Sequence, residues 1–332
     1  MGEFDLIAHY FKRPARRAAL GIGDDCALLQ PAPGTQLAIS CDMLVEGRHF
    51  FPTVDPFKLG HKALAVNLSD LAACGAKPLA FTLALALPRA DPAWLAPFSQ
   101  GLLALADAQG CELIGGDTTQ GPLNICITVF GEVPVRHGRS QALLRSGAQA
   151  GDDLYVSGSL GDARLALEVL RGTLSVPAPV FEAARARLEQ PTPRVALGLA
   201  LRGVASAAID VSDGLLGDLG HILQQSGVGA TVQTAATLDL IAAHAHYTGA
   251  RGQFSMEITT PQWLGLALAG GDDYELLFTA PAAARAGVAA AAQLSQTPVT
   301  RIGQIDATPG LRLLDGDSQP LPNNYRSFDH FA

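Results

Sequence analysis

Lysine is close to absent. Of 332 residues only Lys12, Lys58, Lys62 and Lys77 are lysine, and none follows Lys77. Schiff-base catalysis is therefore excluded from the second half of the chain, and no G-x-x-x-x-G-K-[ST] loop exists to cradle a triphosphate. Cationic charge is scarce altogether: 23 Lys and Arg against 31 Asp and Glu give a net charge of −8. That excludes the basic footprint of a nucleic-acid binder and disfavours an anionic membrane surface. Cysteine is limited to Cys26, Cys41, Cys74, Cys111 and Cys126. An odd number without a C-x-x-C pair fits neither a disulfide framework nor a structural zinc site, and fits a reducing compartment. Long apolar runs are also missing. The longest, 79–87, is bracketed by Pro78 and Pro88 and is far short of the ~20 residues that span a bilayer. The N-terminus puts acids ahead of its apolar residues, unlike a signal peptide. The expectation is a soluble cytoplasmic protein with no nucleic-acid or membrane partner.

What the chain does have is apolar mass, 48% of residues against 16% charged, enough to bury a sizeable core. Its length suits about two domains. Extended patterns at 36–43, 79–87, 111–115, 123–133, 153–157, 207–211, 274–279 and 300–304 alternate with helical ones at 56–74, 92–108, 162–170, 194–202 and 214–225. Such alternation predicts an α/β or α+β architecture. The Ala-rich stretch 282–292 reads as a surface helix. The small, polar segment 146–152, SGAQAGD, suggests a division into domains 1–148 and 149–332.

Aspartate is the informative residue. Acids cluster with glycine or serine in Gly21-Ile22-Gly23-Asp24-Asp25, Ser40-Cys41-Asp42, Ser69-Asp70, Gly115-Gly116-Asp117, Asp210-Val211-Ser212-Asp213-Gly214 and Gly270-Gly271-Asp272-Asp273. Five of the six are expected at loops or element ends, where α/β scaffolds present binding groups. Taken singly, each reads more simply as a turn or a helix cap, and Ser212 with Asp213 looks like a cap for the helix that follows. Asp70 is different. It lies in an otherwise apolar helix, on one face with Asn67 and Cys74, and a carboxylate there needs an ion-pair partner or a metal. Short carboxylates with nearby hydroxyls and carbonyls are the ligands of hard cations such as magnesium, which keeps company with polyphosphate. Gly158-Ser159-Leu160-Gly161 follows a strand and opens a helix, as a phosphate loop or a tight turn would. No kinase H-R-D or D-F-G set is present, and no EF-hand loop. The residues alone point to a magnesium-dependent nucleotide enzyme. No Ser, Cys or His stands in a nucleophile–base motif, so direct phosphoryl transfer is expected.

Read in order, GIGDDCALL, SCD with His49, KALAVNLSDLAACGAKP, LIGGDTTQGP, LLRSGAQAGD, IDVSDGLLGDLGHI, GGDDYELLFT and the terminal FDHF resemble the thiamine-monophosphate kinase family. That family is similar in fold to the aminoimidazole-ribonucleotide and selenophosphate synthetases. The resemblance implies an N-terminal sheet-and-helix domain that binds ATP and metal and forms a homodimer, a C-terminal α/β domain, and an active site in the cleft. It implies phosphorylation of thiamine monophosphate by ATP to give thiamine diphosphate. By motif, Asp25, Asp42, Asp70, Asp117, Asp210 and Asp213, with Ser40 and Cys41, would hold several Mg²⁺ ions. Gly116, Asp117, Arg145 and Ser212 would contact ATP, and His49, Asp272 and Phe328 the thiamine phosphate. The sequence departs from the family at Cys41, commonly Thr, at Asp272, commonly Glu, and at Phe328, commonly Tyr or Trp. A selenophosphate synthetase would need a reactive Cys ahead of GIGDD and a nearby lysine; here Cys26 follows GIGDD and no lysine neighbours it in sequence.

Overall fold

The computed structural model describes residues 2–244 and 258–328. It divides into two compact units, Met1–Leu71 with Ala76–Ala142, and Ala72–Gly75 with Leu143–Ala332. The first is built on a five-stranded sheet of β1 (Thr35–Val45), β2 (Lys77–Leu87), β3 (Glu112–Gln120), β4 (Asn124–Arg136) and the short β5 (Arg139–Ser140). The order is β1-β4-β2-β3, with β5 on β4. Only β2 and β3 run parallel. Period-two alternation divides the faces. Ile125, Ile127 and Val129 of β4 lie opposite Leu85, Leu83 and Phe81 of β2, all buried. On β1 the alternation leaves Leu37, Ile39, Cys41 and Met43 exposed along an edge strand, while Ala38, Ser40 and Asp42 are half-buried.

Two long helices of this unit start and stop where their sequences direct. Helix Pro92–Gln109 is capped by Asp91, whose carboxylate accepts the Ala93 N–H, and ends at left-handed Gly110. It meets helix Pro56–Ala73 backbone to backbone. A Cβ on Gly60 would stand 2.1 Å from the Phe98 carbonyl oxygen, and one on Gly101 would stand 1.8 Å from that of Phe57. Asp70 rides on Pro56–Ala73, as the sequence pattern predicts.

The second unit has a seven-stranded sheet of β6 (Asp153–Ser157), β7 (Ala207–Asp210), β8 (Gly229–Gln233), β9 (Leu276–Ala280), β10 (Val299–Asp306), β11 (Gly310–Leu314) and β12 (Pro320–Leu321). Their order is β12-β11-β8-β10-β6-β9-β7. Leu154, Val156, Ile209, Leu277 and Ile302 pack with Leu215, Leu219 and Ile222 of helix Leu215–Ser226. A further core joins helices Asp162–Leu170, Ala178–Glu189 and Thr260–Ala269 through Leu165, Leu188 and Trp263. Both units are mixed α/β, as the alternation of patterns predicts. The Ala-rich stretch forms a short 3₁₀ turn and the helix Arg285–Leu294, which buries only Val288 and Ala291. No described helix is long and apolar enough to cross a membrane.

Candidate active site

In the first unit the strand period sorts the predicted ligands. Ser40, Cys41 and Asp42 lie within β1 rather than at its end, because the strand continues to Val45. Ser40 and Asp42 therefore share one face, and the Cys41 side chain takes the other. On the first face Ser40 Oγ donates to Asp70 Oδ2 at 2.5 Å. The Asp42 N–H donates to Asn67 Oδ1 at 3.0 Å, and the Asn67 amide is fixed in turn on the Ala63 carbonyl. Asn67 and Asp70, one helical turn apart, thus both reach β1. On the other face Cys41 Sγ lies 3.5 Å from Cys126 Sγ, and burial, then the bond to Cys41, pushes the Cys126 thiol up to about 11. His49 Nδ1 accepts the Val45 N–H at 3.0 Å, so a neutral ring carries its proton on Nε2. Asp117 and Gly116 also sit inside a strand, β3, not at its end. Asp117 is exposed there, beside Gly116, whose φ of 144° and close approach to Leu83 admit no side chain. Asp25 is exposed in the 21–26 segment between the paired Leu20 and Leu28.

The second unit collects four predicted residues. Asp210 closes β7 and is buried. The Asp272 N–H donates to the Ser212 carbonyl at 2.8 Å, and the Phe328 N–H donates to the Asp213 carbonyl at 3.0 Å. Ser212, Asp213, Asp272 and Phe328 are thereby joined. The GGDD segment does not open its strand, since β9 begins at Leu276. It is instead a strained connection: Asp272 and Tyr274 adopt φ of 66° and 51°, a region that disfavours L side chains. It is held by the Tyr274 N–H on the Val211 carbonyl and by Asp273, both of whose oxygens lie 3.0 Å from the Gly161 N–H. Burial pushes Asp273 well above the usual carboxylate range. The Gly158–Gly161 turn is thus structural: Gly161 gives its N–H to Asp273, and Gly158 packs on the Glu275 carboxylate, 2.1 Å from where a Cβ would stand. Ser212 and Asp213 are not side-chain caps either. The first residue before helix Leu215–Ser226 is Gly214, and Asp218 inside the helix accepts the N–H groups of Ser212 and Asp213 at 3.1 and 3.2 Å. Burial first, then the Asp213 charge, pushes Asp218 up to about 7. Arg145 is exposed, and its carbonyl accepts from Ser226 Oγ.

Residues 23–133 match the model of the AIR synthase related protein N-terminal domain, and 149–316 that of the C-terminal domain. The thiamine-monophosphate kinase of Salmonella typhimurium is 46% identical over 337 residues, spanning 100% of this chain and 98% of the relative. The crystal structure of thiamine-monophosphate kinase from Stenotrophomonas maltophilia superposes with a TM-score of 0.80 at 46% identity, covering 92% of each chain. A structure of AaThiL complexed with AMPPCP and TMP gives 0.75 at 28% identity, covering 91% of this chain and 89% of that one. The chain belongs to the thiamine-monophosphate kinase family.

For a thiamine-monophosphate kinase family member, sequence reasoning places Asn67 on the Asp70 face and Asp273 in the GGDD segment without a role for either, and misses Asp218. Asn67 lay in plain view as a polar side chain on Asp70's apolar helix face. The roles of Asp218 and Asp273 had no local signal, because the Ser212, Asp213 and Gly161 N–H groups they accept lie five or more residues away in sequence. Among the described residues no three His, Cys, Asp or Glu side chains gather into one ready-made metal cluster. The donors that do approach one another, Ser40 and Asp70 with Asp42 alongside, are all oxygen, and that chemistry fits magnesium rather than a softer ion. Cys41 has its sulfur on the opposite face, so only its backbone carbonyl suits that role.

Proposed function

We propose that this chain transfers the γ-phosphate of ATP to the phosphate of thiamine monophosphate, releasing ADP and thiamine diphosphate. An acceptor phosphate oxygen forms the new P–O bond in line as the bond to the β-γ bridging oxygen breaks, with no protein-bound phosphate between. The observation that carries this reading is the junction of Ser212, Asp213, Asp272 and Phe328. It ties the backbone of Asp272 to Ser212 and that of Phe328 to Asp213, and Phe328 is 40% exposed, its ring available to stack on a heteroaromatic substrate. In this reading Asp25, Asp42, Asp70, Asp117, Asp210 and Asp213, with Ser40 Oγ and the Cys41 carbonyl, hold several Mg²⁺ ions. When bound, such ions neutralise the mutual repulsion of donor and acceptor phosphates. Gly116, Asp117, Arg145 and Ser212 contact ATP, and His49, Asp272 and Phe328 contact the thiamine phosphate. His49 then presents Nε2–H as its donor. The 1–148 region would carry the ATP and metal functions and pair two copies through the exposed β1 face, where Leu37, Ile39 and Met43 are 42%, 59% and 52% exposed. Five free thiols agree with a reducing, cytoplasmic setting.

The test is conversion of thiamine monophosphate to thiamine diphosphate with ATP and magnesium. γ-Labelled ATP without acceptor is expected to leave the protein unlabelled. Absence of thiamine diphosphate refutes the activity, and stoichiometric label that thiamine monophosphate chases into product refutes direct transfer.

A further inference from the structure

The exposed face of β1 carries sulfur where the other carries oxygen. Cys41 and Cys126 bring their Sγ atoms to 3.5 Å. The β1–β4 register sets Met43 directly opposite Cys126, and Cys41 one alternation further along β1 opposite Thr128. All three sulfur residues belong to one face, with Met43 and Cys41 exposed. We propose that Cys41, Cys126 and Met43 form a sulfur-only site for a soft monovalent cation of the copper(I) class.

The spacing argues for a bridging ion over a disulfide. Diagonal neighbours on antiparallel strands have Cα atoms about 7–8 Å apart, beyond the ~6.8 Å that a disulfide tolerates without backbone movement. A sulfur–sulfur bond would also need closure to about 2.05 Å. Two metal–thiolate bonds of about 2.3 Å at a near-tetrahedral angle span about 3.8 Å, close to the separation already present. Thiolate and thioether together select a soft ion, and copper(I) foremost. On binding, each thiol passes its proton to solvent, the two thiolates and the Met43 thioether each form one sulfur–copper bond, and no electron moves. Magnesium has no claim on these donors, and copper(I) little on the oxygen face behind them.

The site is complete within one chain, although it lies on the face proposed to pair two copies. Reduced protein is titrated with copper(I) held by a chromophoric chelator, beside Cys41→Ser/Cys126→Ser, Met43→Leu, and Ile39→Asp, which opens the face without removing a sulfur. The wild type or Ile39→Asp is expected to withdraw one copper(I) per chain. The double serine variant should bind that equivalent at least about tenfold more weakly, the scale on which metal sites respond to lost support. Met43→Leu should fall between the two. Circular dichroism spectra that match the wild type rule out misfolding of the variants. The double serine change is made in the wild type and in Ile39→Asp; uptake equal to that of the parent in either background that binds, or no uptake by either parent, overturns the site. Sedimentation on the same samples reports pairing separately, so failure of the dimer is not read as failure of the site.

Discussion

Asp273 is 1% exposed, and its two oxygens face one N–H, that of Gly161. Burial raises its pKa, so the protonated acid is the form this pocket favours, and asparagine copies that form closely. Asp273→Asn is expected to keep stability within about 1 kcal/mol. Asp273→Leu, which strands a buried donor, should lose ~1–3 kcal/mol by chemical denaturation. Equal losses for both would show that the charge, not the acceptor, is what counts. Asp70 should behave in the opposite way. Asp70→Asn still accepts from Ser40, so its melting temperature without metal should match the wild type. Turnover should fall at least ~10²-fold, as when one preorganised electrostatic group is removed. A large drop in melting temperature with activity kept would make Asp70 scaffold. Neither role for Asp273 nor the face-sharing of Ser40 and Asp42 was read in sequence. The second follows from period two alone once the strand is known to run past Asp42; the first needs Gly161, 112 residues away.

At the scale of elements, most of the two sheets and their helices were legible, because half-buried strands and amphipathic helices write their period into the chain. Helix Ala178–Glu189 escaped although it buries Val180, Ala184 and Leu188 at helical spacing; others that escaped had lost the period. Thr260–Ala269 is almost wholly apolar, buried around most of its circumference, and so has no polar stripe to mark it. Gly229–Gln233 and Gly310–Leu314 are five residues long and open on glycine, which reads as a turn. The contact of helices Pro56–Ala73 and Pro92–Gln109 is a testable element-level device. Gly101→Ala places a methyl against backbone rather than a yielding side chain, so the helices must separate. The expected cost is ~1–3 kcal/mol, read as a lower denaturation midpoint with the same slope. An unchanged midpoint would mean that the crossing is loose.

At the scale of the whole molecule, one ion cluster is expected to make stability sensitive to acid. Asp153, with no exposed side-chain surface, accepts Arg285 at 2.6 and 2.9 Å, Arg301 at 2.9 Å and the Tyr155 hydroxyl at 3.2 Å. The Arg285 hydrogen bond foremost draws its pKa down to about 2, against ~3.9 in an unfolded chain. The folded state therefore binds fewer protons. The stabilisation is complete above about pH 4 and is lost as the pH falls through 4 towards 2. The melting-temperature gap between wild type and Asp153→Asn should be widest near pH 5 and close by about pH 2. A gap independent of pH would deny the ion pairs their part. Quaternary structure is a second whole-molecule observable. If the β1 face pairs two copies, Ile39→Asp buries a charge there and should shift sedimentation to the monomer; a wild-type profile for that variant would place the interface elsewhere.

The glycine crossing also bears on heredity. Every missense change at codon 60 or codon 101 installs at least a Cβ, so neither position has a conservative neighbour one nucleotide away. In a growth-based map of all single substitutions both codons would stand out as sharply as the aspartates, although they handle no phosphate. Measuring cellular abundance alongside growth tells the two groups apart: changes at Gly60 and Gly101 are expected to deplete the protein itself, whereas Asp70→Asn is expected to leave its abundance unchanged.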